Sequence, residues 1–264
     1  MKIKGHSSFN VKLELYKNQT VISKSSNDDN FYRLEKQIKK QENFSENYSE
    51  KFEIYVPKII EKMNNKFLME YIYFSENFID FAQHGNVKKI NWFLKKIILI
   101  IEKYLSFCQY DYLDKKILEN KINSIEKNLI NNQYIDINDS FYKNNLKFLK
   151  NNINCLDKVK VPLGLCHGDL TFSNILIDSS EIKIYLIDFL DSFIESPILD
   201  IVKIRQDTKY YWICNMYSDF FDKNNIILTL NYLDREIDKY FSKYEFYKKT
   251  YVFFEKLNIL RVYS

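Results

Sequence analysis

Apolar and polar residues alternate along the start of the chain. Phe9, Val11, Leu13 and Leu15 occupy every second position, the period of a strand with one buried face. A turn at Asn18-Gln19 and the run 20–23 predict its antiparallel partner. The polar residues 27–30 can cap a helix, because short side-chain oxygens accept from its first N–H groups. Phe31, Leu34 and Ile38 give that helix an apolar face that fades near Phe44. Residues 52–60 are β-rich and interrupted by Pro57, and residues 66–72 read as a further short strand.

From Phe78 onward the period becomes helical. Residues 90–107 are apolar nearly all round, as in a helix buried within a larger body, while 115–129 and 141–153 keep one apolar face. Residues 161–166 are strand-like, 175–177 and 182–187 flank the turn residues Asp178-Ser179-Ser180, and three or more helices close the chain. This order predicts an α+β fold with a small β-rich lobe over residues 1–73 and a larger, mainly helical lobe over 74–264.

Composition narrows the function classes. With 46% hydrophobic residues in 264, the chain can bury a substantial core. Its 17% aromatic content accompanies only 4 glycines and 3 prolines, the bias of A+T-rich codons, so the rings carry no binding signal by number alone. A net charge of +4 spread along the sequence argues against a nucleic-acid partner. Cys108, Cys155, Cys166 and Cys214 are scattered and there are only 3 histidines, which argues against structural zinc and for free thiols in a reducing cytosol. No apolar leader opens the sequence, and the segment 92–107 is too short and too charged to span a bilayer. A cytoplasmic protein without membrane insertion is expected; its oligomeric state is not legible.

The chemistry concentrates in His167-Gly168-Asp169-Leu170-Thr171-Phe172-Ser173-Asn174-Ile175-Leu176 and Leu186-Ile187-Asp188-Phe189. Asn174 lies five residues after Asp169, and Asp188 fourteen after Asn174. Phosphoryl transfer from a magnesium nucleotide needs such a set: one carboxylate for the hydroxyl proton, and an amide oxygen and a second carboxylate for the metal. Asp169 is therefore the candidate base, and Asn174 and Asp188 the candidate Mg²⁺ ligands. The spacing matches the catalytic-loop and Asp-Phe-Gly elements of protein kinases, with Gly168 in place of an arginine and Leu190 in place of a glycine. In that variant form it resembles the aminoglycoside phosphotransferase and choline kinase family.

The resemblance implies a two-lobed protein-kinase-like fold and ATP, or another purine nucleoside triphosphate, as phosphoryl donor. It implies a phosphate-positioning turn at Gly5, Ser7 and Ser8, and a phosphate-contacting lysine at Lys24. A helix residue should fix that lysine: Glu35 is the candidate, with Gln37, Gln41 and Glu42 as alternatives. Glu70, Tyr71 and Ile72 stand where the family's hinge meets adenine through backbone groups. His167 is expected to brace the loop, and Cys166 to fill the core. The acceptor would be a small hydroxyl-bearing molecule: a sugar, amino sugar or amino alcohol. Residues 188–222 hold seven acidic residues against Lys203, Arg205 and Lys209, and include Tyr210, Tyr211, Trp212 and Tyr217. That balance motivates a cationic or sugar-like acceptor. Alternatives are a catalytically silent nucleotide-binding module, disfavoured by the joint presence of Asp169, Asn174 and Asp188, and a protein kinase, disfavoured by Gly168 and Leu190. A metallophosphatase would need more metal ligands than the chain offers.

Overall fold

The computed structural model describes residues 9–26, 31–48, 54–156, 158–217 and 221–264. It divides into two compact units, one formed by Met1–His84 with Phe172–Asp191, the other by Gly85–Thr171 with Ser192–Ser264.

The first unit opens with β1 (Asn10–Tyr16) and β2 (Gln19–Ser25), paired antiparallel with Tyr16 opposite Gln19. The turn is Lys17-Asn18, one residue earlier than expected, and both residues have positive φ, as a two-residue hairpin turn that follows the strand twist requires. Helix α1 (Phe31–Asn47) buries Leu34, Gln37, Ile38, Gln41 and Phe44. β3 (Ile59–Met63) and β4 (Lys66–Glu70) complete a sheet of order β1-β2-β4-β3. Phe9, Ile22, Leu34, Ile38, Phe67 and Met69 form one core cluster. Strand alternation sets Lys24 on the same face of β2 as Ile22, so the lysine enters this apolar layer. Helix α2 (Phe78–His84) follows, with Phe78, Ile79, Phe81 and Ala82 buried.

The second unit begins with α3 (Val87–Ser106), capped by the Asn86 side chain accepting from Lys89 N–H. β5 (Gln109–Tyr112) was not expected, because all four of its residues are exposed and give no apolar period. α4 (Lys115–Asn131) and α5 (Ser140–Leu156) pack on each other, and β6 (Lys160–Leu163) pairs with β5. The strand expected over 161–166 therefore ends early, before the Gly164–Thr171 loop.

The chain then returns to the first unit. A 3-10 turn at Phe172–Asn174 leads into the hairpin of β7 (Ile175–Asp178) and β8 (Lys183–Leu186). Asp178 accepts from Ser180 and Glu181 N–H, closing the loop where Asp178-Ser179-Ser180 marked it. This hairpin is tied to the first unit by Glu76 bridging Ile177, by Tyr55 bridging Tyr185, and by Phe78 against Phe172. The compact division thus falls after His84 and takes in residues 172–191, unlike the single boundary at 73/74 read from the sequence. Backbone pairing across a long sequence separation is the cause.

Three helices complete the second unit: α6 (Pro197–Tyr210), α7 (Lys223–Phe241) and α8 (Glu245–Tyr263). α6 is buried along most of its length, charged residues included. Arg205 offsets that burden by forking onto both Asp234 oxygens at 2.9 and 2.8 Å and by bonding Asp238 and Tyr247. Such a planar bidentate pair fixes α6 on α7 and α8, and with it every side chain α6 carries. No described helix is long and apolar enough to cross a membrane.

Candidate active site

In the first unit Lys24 is 1% exposed and its ammonium lies 4.9 Å from the Phe9 ring centre. Burying a cation there demands partners. They are Asp188 Oδ1 at 2.9 Å and Gln37 Oε1 at 2.8 Å. The expected helix partner, Glu35, does not meet Lys24. It is half exposed and pairs with Lys39 one turn on, because two residues from Gln37 is more than half a helical turn away. Of the alternatives, Gln41 donates to Pro57 O at 2.8 Å and Glu42 pairs with Lys62. The lysine is therefore fixed by one carboxylate and one neutral amide.

Asp188 has φ +61°, and Leu190 is not among the positive-φ residues. The left-handed step falls on an aspartate, a residue that tolerates it better than most, so the glycine of the protein-kinase pattern is not needed two residues later. Phe189 is buried with its ring 5.0 Å from that of Phe44, and Lys40 donates to Leu190 O at 2.7 Å. Both contacts anchor the segment to α1. Asn174 and Asp188 lie at the open end of the β7–β8 hairpin, where Ile187 N–H donates to Asn174 O at 3.0 Å. The ladder thus brings together two residues fourteen apart in sequence. Their donor set, one carboxamide oxygen and one carboxylate, fits a hard divalent cation such as Mg²⁺.

Gly5, Ser7 and Ser8 lie outside the described residues, as does the cap expected at 27–30. Glu70 ends β4; its carboxylate accepts from Lys58 N–H at 3.3 Å. Tyr71 packs on the core cluster and edges against Tyr73, and Ile72 is buried with its carbonyl accepting from Ser75 Oγ.

In the second unit the His167–Asp169 loop is clamped by Asp200. Its two oxygens accept from His167 N–H at 2.6 Å and Gly168 N–H at 2.8 Å. Gly168 has φ +90°, a conformation that favours glycine. His167 is fully buried, and its Nδ1 accepts from Asp169 N–H at 3.2 Å, a bracing role. Ser192 Oγ donates to Gly168 O at 3.2 Å, and Cys166 Sγ bonds Glu195. Cys108 is pushed up to about 12 by burial, so it is no nucleophile at neutral pH.

Asp169 Oδ1 meets Lys203 Nζ at 2.8 Å. Burial pushes the Asp169 carboxyl up, but the ammonium beside it more than offsets that, and the net shift is downward. Lys203 is itself lowered, chiefly by burial, with Asp169 opposing. The base candidate is therefore ionised at neutral pH and held by a cation from α6. In the sequence Lys203 stands out only as a local charge; its place one turn beyond Asp200, on the face of α6 that clamps the loop, is the signal of its role.

The carboxylates after Asp188 have local partners. Asp191 pairs with Lys36, Glu195 accepts from Ser192 N–H, Asp200 clamps the loop, Asp207 is fully buried, and Asp222 caps α7. Asp219 lies outside the described residues. The acidic count over 188–222 thus loses its force as an argument for a cationic acceptor. Tyr210, Tyr211 and Tyr217 line a cavity of about 330 Å³ with Cys214, Asn215 and Lys223; among the described residues Trp212 is not in its wall and no acidic residue lines it.

Residues 132–226, which contain Asp169, Asn174 and Asp188, match the phosphotransferase enzyme family. No curated protein matches the chain in sequence. Among solved structures, the choline kinase LicA from Streptococcus pneumoniae superposes with a TM-score of 0.53 at 16% identity, over 99% of this chain and 91% of that one. An aminoglycoside-3'-phosphotransferase of type VIII gives 0.57 at 12% identity, over 98% and 91%. A glucosamine kinase gives 0.57 at 9% identity, over 99% and 72%. At these identities the likeness is one of fold. The chain has the kinase-like fold shared by these small-molecule phosphotransferases, and its residues 132–226 carry the sequence pattern of the phosphotransferase enzyme family.

Proposed function

We propose that this protein transfers the γ-phosphoryl group of ATP, with Mg²⁺, to a hydroxyl of a small molecule. The observation that carries the reading is the Lys24–Asp188–Gln37 cluster, in which a fully buried lysine meets the aspartate that follows the β7–β8 hairpin. A lysine held there suits nucleotide phosphates, and Asn174 and Asp188 would hold the ion. Bound Mg²⁺ would neutralise charge on the β- and γ-phosphates. Asp169 receives the proton of the acceptor hydroxyl as its oxygen bonds to the γ-phosphorus and the bond to the β–γ bridging oxygen breaks, releasing ADP. An ionised, lysine-held carboxylate is suited to that task, since proton loss is late in a loose transition state and orientation matters most. Glu70, Tyr71 and Ile72 remain the adenine-side candidates, with Ile72 held in place by its burial.

The test is thermal unfolding with Mg-ATP, followed by ATP-dependent phosphorylation of sugars, amino sugars and amino alcohols. A ligand selective for the folded state raises the Tm. A Tm gain that requires both nucleotide and Mg²⁺, and vanishes in Asp188→Ala, supports the reading. Absence of any gain with purine nucleotides at millimolar concentration contradicts it.

A further inference from the structure

The segment that follows the β7–β8 hairpin lies along α1. Phe189 sets its ring 5.0 Å from that of Phe44, Lys40 Nζ donates to Leu190 O at 2.7 Å, and Lys36 Nζ meets Asp191 Oδ2 at 3.0 Å. Positions 36, 40 and 44 form one row of the helix, each four residues from the next. They meet residues 191, 190 and 189, so helix and segment run antiparallel. Gln37 lies beside that row and reaches Asp188 through Lys24. Residues 188–191 are thus each tied to α1, and all of these groups belong to the first unit.

We propose that Lys40 is a positioning residue, which through Leu190 O holds Asp188 in the left-handed conformation that turns it to Lys24 and to a divalent cation. The ion rests on the kinase reading; the hold on the backbone does not. A φ of +61° is unfavourable for a residue with a Cβ, even an aspartate, so contacts made only in that conformation must select it. Ile187 N–H is tied to Asn174 O on the hairpin side. Rotation about the Asp188 backbone would therefore swing the residues beyond it, and their contacts decide. These contacts differ in weight. The Phe189 ring is buried, but apolar burial is non-directional and leaves the peptide planes free to turn. Lys36 and Asp191 are 43% and 44% exposed, and solvent screens such a pair to little net worth. Lys40 is half-buried, and its charged donor meets a backbone carbonyl, a directional bond that exists only while the chain beyond Asp188 keeps its course. Leu190, standing where the protein-kinase pattern has glycine, has less backbone freedom to compensate for a turn at Asp188.

The test begins with amide hydrogen exchange, followed by NMR on the full, metal-free chain, in the wild type, Lys40→Met, Lys40→Arg and Lys36→Met. Ile187 N–H, bonded to Asn174 O, reports on the hairpin end next to Asp188, and Leu186 N–H, bonded to Tyr55 O, on the hairpin behind it. Lys40→Met should speed exchange at Ile187 by about tenfold or more, the loss expected when a charge-assisted hydrogen bond is removed. Leu186 should not change, which separates a lost hold from a lost fold. Lys40→Arg keeps the charged donor and should retain most of the protection, and Lys36→Met should have only a slight effect. A Mg²⁺ titration of the Tm at saturating ATP then reads the consequence. Lys40→Met should raise the Mg²⁺ midpoint by about tenfold, while the Tm shift given by ATP without Mg²⁺ stays as in the wild type. Wild-type exchange at Ile187 in Lys40→Met, equal acceleration at Leu186, or an equally large effect of Lys36→Met would each overturn the proposal. Faster exchange with an unmoved Mg²⁺ midpoint would overturn its link to the cation. Failure of Mg-ATP to raise the Tm of the wild type would instead count against the kinase reading, and the metal-free exchange would decide the hold on Asp188 by itself.

Discussion

Each unit sets one lysine ammonium against one aspartate, at 2.9 Å between Lys24 and Asp188 and 2.8 Å between Lys203 and Asp169. Each lysine also faces a glutamine Oε1, that of Gln37 at 2.8 Å and that of Gln206 at 3.5 Å. The surroundings differ. Lys24 enters from a strand into an apolar cluster against the Phe9 ring, whereas Lys203 comes from a charged, buried helix and shares its field with Arg261. A pair in apolar surroundings is held by its own members, so deletion of one leaves an uncompensated charge. A pair inside a wider cationic field can hold its carboxylate ionised. On the proposed function, the same chemical pair would serve phosphate and metal binding in one unit and proton acceptance in the other.

The largest effect should come from Asp169→Asn. Removing a positioned base lowers turnover by roughly 10²–10⁴-fold, and Mg-ATP affinity, measured by calorimetry, should change little. Unchanged turnover would sever the link between the Asp169–Lys203 pair and chemistry.

Asp188→Ala should act first on binding and stability. It leaves Lys24 buried against Gln37 alone, a loss of about 3 kcal/mol in chemical denaturation, and it should abolish the Mg²⁺-dependent Tm gain. A variant as stable as the wild type would mean that Lys24 does not depend on this carboxylate.

Lys203→Met should alter the pH profile more than the rate at its plateau. In the wild type the folded Asp169 carboxyl titrates below its ordinary value. Its stabilising contribution is therefore fully present above the ordinary carboxylate range and is lost as pH falls through the folded pKa. The acid limb of kcat/KM should lie below about pH 4, the unperturbed aspartate value. Without Lys203, burial is left to push the carboxyl up, and the limb should move to higher pH. An unmoved limb would show that Lys203 does not set the ionisation of Asp169.

The smallest effects sharpen the choice of helix partner. Gln37→Ala should weaken Mg-ATP binding several-fold, whereas Glu35→Ala, at an exposed pair, should change stability by no more than about 0.5 kcal/mol. The reverse order would restore Glu35 as the residue that fixes Lys24.

Spacing made Asp169, Asn174 and Asp188 legible, because a hairpin converts a fixed separation in sequence into adjacency. The core strands and helices were legible from their periods for the same reason. Gln37 was harder: four polar residues of α1 were candidates, and only the phase set by Leu34, Ile38 and Phe44 distinguishes the buried pair Gln37 and Gln41 from Glu35. β5 gave no signal, since an exposed two-stranded ribbon has no apolar face. The acidic count over 188–222 misled because charge along a sequence ignores use in space. Asp200 and Asp222 hold backbone N–H groups, Asp188 meets Lys24 of β2, and Asp191 meets Lys36 of α1. Likewise, no local pattern reveals that the hairpin after Thr171 belongs with the first unit, because that follows from pairing with Tyr55 and Glu76.

The most direct measurement is transfer of labelled γ-phosphate from ATP by the purified chain to a panel of hydroxyl acceptors, neutral, cationic and anionic, with and without Mg²⁺, beside Asp169→Asn. The expected result is Mg²⁺-dependent labelling of at least one acceptor by the wild type and near-complete loss of labelling in the variant. Equal labelling by wild type and Asp169→Asn, or no labelling of any acceptor by a chain that binds Mg-ATP, would contradict the assignment of a phosphotransferase that uses Asp169 as its base.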